Sequence, residues 1–265
     1  MRISHHKSRQ DSGVSESIGF LLIFTLVITG IGLVTLYGYP MLMQQQTSAD
    51  EQIMEKNMIV LQNDVKSLAY KTVPYKETSL KIGGGTLAVY NLSTLPAIST
   101  ITVRDASGTV YYVDSFHPGD LRYESVNAKT DLSLQNGAVV KRDRAGQGSV
   151  MLAEPRWFYD STANTMIINL IAFNSTSHLA RTGVGTVQMT LIESNYTYYT
   201  PAGNVYLDYI PDTDTDFSTA WNNYFTQTLA DPSRSGNTFT YRLPLDTARP
   251  ATLAIKKYTI LIKSL

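Results

Sequence analysis

Apolar positions follow three successive rhythms along the chain. Residues 17–49 carry no charged side chain, and residues 18–37 form a run of twenty that is apolar apart from threonine and glycine. At about 1.5 Å per residue, a helix of that length crosses roughly 30 Å, the thickness of a bilayer's hydrocarbon core. A transmembrane helix is therefore expected over residues 14–43. Gly38-Tyr39-Pro40 at its outer edge predicts a kink or short break, because proline lacks a backbone donor and disfavours helical geometry in the residue before it.

Beyond that point the period becomes helical and amphipathic. Met54, Met58, Leu61, Val65 and Leu68 recur at alternating spacings of four and three with polar residues between them, which predicts a stalk helix over residues 44–73, closed by Pro74. Such a stripe more often packs on the chain's own domain than on a partner.

From residue 75 the rhythm shortens to that of strands. "SLKIGGGTLAVYN" (79–91) predicts a hairpin turning at Gly83-Gly84-Gly85, since glycine adopts the positive φ that tight turns demand. "TITVRDASGTVYYVDS" (100–115) repeats the design with a turn from Asp105 to Gly108, and "DLSLQNGAVVKRD" (131–143) carries Asn136-Gly137, a strong hairpin signal. Further strands are read in 165–174, 185–194, 204–210 and 251–265, and a helix in 217–231, where Phe217, Trp221, Tyr224, Phe225 and Leu229 recur at helical spacing. The fold class is α+β: a long N-terminal transmembrane-plus-stalk helix followed by a mainly antiparallel, sandwich-like β ectodomain over residues 75–265.

Charge sets the expected topology. Arg2, Lys7 and Arg9 precede the apolar run, whereas Asp50 and Glu51 are the first charges after it. The positive-inside bias places residues 1–13 in the cytoplasm as a basic leader and the β domain outside the cell membrane, on a single-pass anchor. The basic start also suits a secretory signal, but the apolar region of one spans only ~7 to 15 residues. Retention as an anchor is the expectation.

The N-terminal order is specific: a short basic leader, Gly13, then "VSESIG" with Glu16 at its third position, then an uncharged helix that continues into an amphipathic segment. This resembles archaeal type IV pilins and pilin-like proteins with class III signal peptides. The resemblance covers about the first seventy residues; "SLKIGGGTLAVYN" and "NGAVVKRD" add a loose likeness to long archaeal pilin-like proteins of unassigned function. It implies a prepilin-type peptidase as partner, Gly13 as the last leader residue and Val14 as the new N-terminus. It also implies assembly through the helix, with itself or with other pilin-like subunits, and with Glu16 paired to the fresh α-amino group of a neighbour. That peptidase commonly meets a basic residue just before the final leader residue, where this chain has Asp11 and Ser12. Glu16 also suits the positive end of a helix dipole behind Ser15 as N-cap. Gly30 and Gly32, beside Thr29, suit close approach of another helix, yet glycine is in any case commoner in membrane helices than in soluble ones.

Composition removes other classes of function. Lysine plus arginine and aspartate plus glutamate number 22 each, so no overall field argues for nucleic acid. Cysteine is absent, which removes thiolate metal sites and thiol nucleophiles. His178 stands beside Ser175, Thr176 and Ser177 without a nucleophile motif, and His117 opens a His-Pro-Gly-Asp turn. No enzyme activity and no cofactor is expected. Asp212, Asp214 and Asp216 in "PDTDTDF" alternate like the opening of a calcium loop, but lack glycine at its sixth position and glutamate at its twelfth. Asn-x-Ser/Thr sequons occur at Asn91, Asn174 and Asn195, and tyrosines cluster in "YTYYT" and "TVYYVD", as an adhesive face or as half-buried strand residues. Two functions remain: a structural or accessory subunit of a type IV pilus-like filament, or a surface binding module that never polymerises.

Overall fold

A computed structural model describes residues 11–71, 73–91, 99–146 and 148–265; residues 1–10 of the basic leader, with Arg2, Lys7 and Arg9, lie outside them. The chain divides into two units, Met1–Ala49 and Asp50–Leu265.

The described part of the first unit is helical. Helix α1 (Asp11–Leu33) passes into a π-helical turn, Val34–Gly38, and then into α2 (Tyr39–Tyr70). One helix among the described residues, Ser15–Tyr70, is long and apolar enough to cross a membrane. The threonine hydroxyls that interrupt the apolar run are satisfied within it: Thr25, Thr29 and Thr35 donate to the carbonyls of Leu21, Thr25 and Ile31 at 2.8, 2.7 and 2.9 Å. In lipid each would otherwise cost a lost hydrogen bond. At Pro40, where a kink or break is expected, helical hydrogen bonding instead widens. The Tyr39 amide bonds the carbonyl of Val34, five residues back, and the single wide turn absorbs the donor that Pro40 lacks. Helical structure is already formed at Asp11, so Ser15 lies inside α1 and is not its N-cap.

Among its described residues the second unit holds α2 from Asp50 onward, fourteen strands and a short helix. A nine-stranded sheet runs in the order β7 (Gly148–Ala153), β6 (Ala138–Asp143), β5 (Thr130–Gln135), β4 (Asp120–Ser125), β1 (Tyr75–Tyr90), β10 (Ala180–Tyr199), β14 (Thr252–Ser264), β9 (Thr165–Ser175), β8 (Phe158–Asp160). A five-stranded sheet runs β12 (Ala230–Ser235), β13 (Thr238–Arg242), β11 (Val205–Ile210), β2 (Thr100–Asp105), β3 (Tyr111–Phe116). Neighbouring strands are antiparallel except β14 and β9.

Each face of the large sheet carries a buried core, and the period of two decides which residue serves which. Along β14, Leu253 and Ile255 join one core with the small sheet and α3 (Ser218–Thr228), while Tyr258, Ile260 and Ile262 join the other with α2. The α2 side is the stripe seen in the sequence: Met54, Met58, Leu61, Val65 and Leu68 are fully buried against the sheet. The stripe therefore packs on its own domain, and the outer part of the stalk is domain core. Gln62, also buried, donates to the carbonyls of Gly137 and Glu154 at 2.7 and 3.1 Å. Lys141 on β6 bridges Glu51 and Glu55 at 2.6 and 2.7 Å.

The turns at Asp105–Gly108 and Asn136–Gly137 form as expected, with Asn136 and Gly137 both at positive φ. The hairpin expected across Gly83-Gly84-Gly85 does not: β1 runs unbroken through it, with a register shift between Ile82 and Leu87. Close approach explains the glycines. A Cβ on Gly83 would stand 2.4 Å from the Asp50 carboxylate, and one on Gly85 would stand 2.4 Å from the Glu124 carbonyl. The triple glycine is a bulge over which α2 and Tyr123 close down.

Candidate functional site

The chemistry-bearing residues of the sequence fall in separate places. Glu16, Gly30 and Gly32 lie on α1, where no side chain from residue 15 to residue 53 is buried. A Cβ added to Gly30 or Gly32 would meet nothing within 4 Å, so packing within the chain does not require glycine at either position. Gly13 and Val14 fall in the first turn of α1.

Two of the aspartates of "PDTDTDF" hold local structure. Asp212 is 6% exposed; its Oδ1 accepts the amides of Asp214 and Thr215 at 2.8 and 3.3 Å, and its Oδ2 accepts Nη2 of Arg122 at 2.9 Å. Asp216 accepts the amide of Ser218 at 2.7 Å at the start of α3, and Asp214 is exposed. Among the described residues, no group of three or more His, Asp or Glu side chains is placed to hold a metal ion.

Arg122, buried on β4, also donates to Asp120 Oδ2 at 2.9 Å and to Thr215 Oγ1 at 2.6 Å, with the Tyr90 ring 4.6 Å from its carbon. Burial raises the Asp120 pKa, against the pull of Arg122 and of the Ser133 hydroxyl. Burial also works against the charge on Arg122, but Asp120 and Asp212 outweigh it and hold the guanidinium more firmly protonated. The adjoining cavity is about 10 Å³, on the order of one water molecule, which excludes it as a ligand pocket.

Of the sequons, Asn91 is 6% exposed and its Nδ2 donates to Asn174 Oδ1 and Ser175 Oγ at 3.1 and 3.3 Å. Asn174 and Asn195 are exposed. The folded chain thus withdraws the first sequon and presents the other two. His117 lies 3.2 Å from the Thr100 hydroxyl, and His178 is exposed in a loop.

The feature that sequence reading missed is a groove of about 670 Å³ where α2 ends. Beyond Tyr70 the helix no longer covers the large sheet, and the sheet face continues in cross-strand rows. Tyr196, Lys256 and Asn169 align across β10, β14 and β9; Tyr198, Ala254, Ile167 and Phe158 align in the next row across β10, β14, β9 and β8. Tyr258 stands behind them, meeting Tyr70 and Tyr196 edge to face at centroid distances of 5.5 and 5.9 Å. Trp157 lines the same groove, its indole donating to the Asn169 carbonyl at 2.8 Å. Two cations rest on the aromatics, Arg156 at 5.0 Å from the Tyr70 ring centroid and Lys256 at 5.6 Å from that of Tyr196. Burial pushes the Tyr70 phenol up to about 12, with Arg156 pulling the other way. Tyr258 is raised further, by burial first and then by hydrogen bonding with Tyr196. Lys66 is lowered, by burial and then by the charge of Arg156.

The two tyrosine clusters of the sequence do meet, but on the opposite face of β10. Tyr199 packs on Tyr112 at 5.0 Å, leaving Tyr196 and Tyr198 for the groove side. The signal for the groove lay in the alternate tyrosines of "YTYYT", but their partners became evident only with strand register.

These features define an α+β protein with one candidate membrane-spanning helix and an aromatic groove on its β domain. The chain belongs to the family described as "Family of unknown function (DUF7289)", whose model matches residues 12–259. No curated protein and no solved structure matches it.

Proposed function

We propose that the protein is a pilin-like, membrane-anchored cell-surface protein, a structural or accessory subunit of a type IV pilus-like filament, with no catalytic role. One observation carries this reading: the apolar helix buries no side chain from residue 15 to residue 53, and burial begins at Met54 with the stripe that packs on the sheet. An apolar segment that its own domain does not use is available to lipid and then to neighbouring helices. The leader's basic residues against Asp50 and Glu51 support an outward β domain. Glu16 is the one carboxylate among residues 14–49, where an ionised group is retained at a cost unless it reaches a partner or the interface.

The test is the mature N-terminus in native membrane and surface fractions, read by peptide mass spectrometry, together with Glu16→Ala. Val14 as first residue, and loss of filament incorporation in Glu16→Ala with membrane insertion intact, are the expected results. An intact leader together with absence of the wild-type chain from filaments would overturn the reading, whereas unchanged incorporation of Glu16→Ala would overturn the role given to Glu16. The aromatic groove favours the second reading, an anchored binding module that does not polymerise, and the same two measurements separate them.

A further inference from the structure

We propose that the groove beyond Tyr70 binds an acidic carbohydrate, a glycan whose sugar rings carry carboxylates. Its walls have the chemistry that a sugar ring requires. Tyr70, Trp157 and Tyr196, backed by the buried Tyr258, offer ring surface against which the C–H faces of a pyranose gain dispersion and quadrupole attraction, while the phenol of Tyr196 lies within reach of sugar hydroxyls. Tyr196 is 51% exposed, and Phe158 in the adjoining row is 55% exposed, so aromatic surface extends along the groove from its floor. The volume, about 670 Å³, lies within the range of small-ligand clefts.

Charge selects among sugars. Arg156 and Lys256 rest on tyrosine rings, and neither side chain has a carboxylate partner among the described residues. No aspartate or glutamate lines the groove. Two unneutralised cations in one groove complement an anionic ligand, and a carboxylate beside either would gain charge-assisted hydrogen bonds. A polyphosphate chain fits less well: nucleic acid is held by an extended basic stripe, whereas this chain balances 22 basic against 22 acidic residues and brings two cations to the groove lining. The inference stands whether or not the protein assembles into filaments.

The experiment titrates the full-length chain in detergent micelles with oligogalacturonate, reading tryptophan fluorescence in a Trp221→Phe background and equilibrium dialysis of the unaltered chain. The comparison ligands are the same oligomer with its carboxylates methyl-esterified and a single-stranded oligothymidylate. Saturable binding of the acid oligomer is expected, weakened at least about tenfold by esterification and by Arg156→Gln or Lys256→Gln, the loss of one charge-assisted hydrogen bond. Tyr196→Ala should weaken it comparably, with the far-UV spectrum and melting of each variant unchanged. Absence of saturable binding, equal affinity for the ester, tighter binding of oligothymidylate, or unaltered affinity in both cation variants would each overturn the proposal.

Discussion

Arg122 on β4 donates through Nη2 to Asp212 Oδ2 at 2.9 Å, tying the large sheet to the loop ahead of α3. The two residues are 3% and 6% exposed. Removing one partner leaves the other charge stranded in a poorly solvating interior, at a cost of about 3 kcal/mol. Asp212→Ala should therefore lower the unfolding free energy of the full chain by about that amount in denaturant titration. Because both oxygens of Asp212 are already committed, calcium and chelator should give the same melting temperature.

The bulge in β1 makes a second prediction. Gly85→Ala would drive its Cβ to 2.4 Å from the Glu124 carbonyl and 2.6 Å from the Tyr123 ring. Backbone cannot yield as a flexible side chain does, so a loss of about 2 kcal/mol is expected. Gly148→Ala, with nothing within 4 Å, is the control, and should move stability by no more than about 0.5 kcal/mol.

Alkaline titration offers a third. Burial raises the phenols of Tyr70, Tyr90 and Tyr241 to about 12. A group whose folded pKa is raised stabilises the fold fully below its unfolded value, here 10.0, and that contribution disappears as pH rises through the folded value. Stability measured by denaturant should thus fall across pH 10 to about 12. Tyrosinate absorbance should show a late phase that vanishes once the chain is unfolded.

The sequons can be ranked by access. In a host that modifies Asn-x-Ser/Thr, glycopeptide mapping should find sugar on Asn174 or Asn195 and none on Asn91, whose amide is turned inward onto Asn174. Sugar on Asn91 in correctly folded protein would contradict the packing there.

What could be read from the sequence was local. The Asn136-Gly137 and Asp105–Gly108 turns depend on the residues at the bend themselves, and the α2 stripe on five apolar positions at helical spacing along one segment. The triple glycine misled because its cause is not adjacent: Asp50 and Tyr123 close on the bulge from far up and down the chain. The groove was hidden for the same reason, since Tyr196, Lys256 and Asn169 become neighbours only through the registers of three strands. Asp212 resembled the opening of an incomplete calcium loop because its partner, Arg122, stands ninety residues away on β4.

β14 lies between β10 and β9, antiparallel to one and parallel to the other, and feeds the cores on both sides of the large sheet. Until residues 252–264 have been synthesised, β9 and β10 each present an open edge and neither core can close. Pairings so distant along the chain are slow to form, and the incomplete intermediate is prone to aggregation. The β domain is thus committed to folding after β14 emerges, so a ribosome that stalls short of residue 252 would release a chain for degradation instead of a smaller working protein.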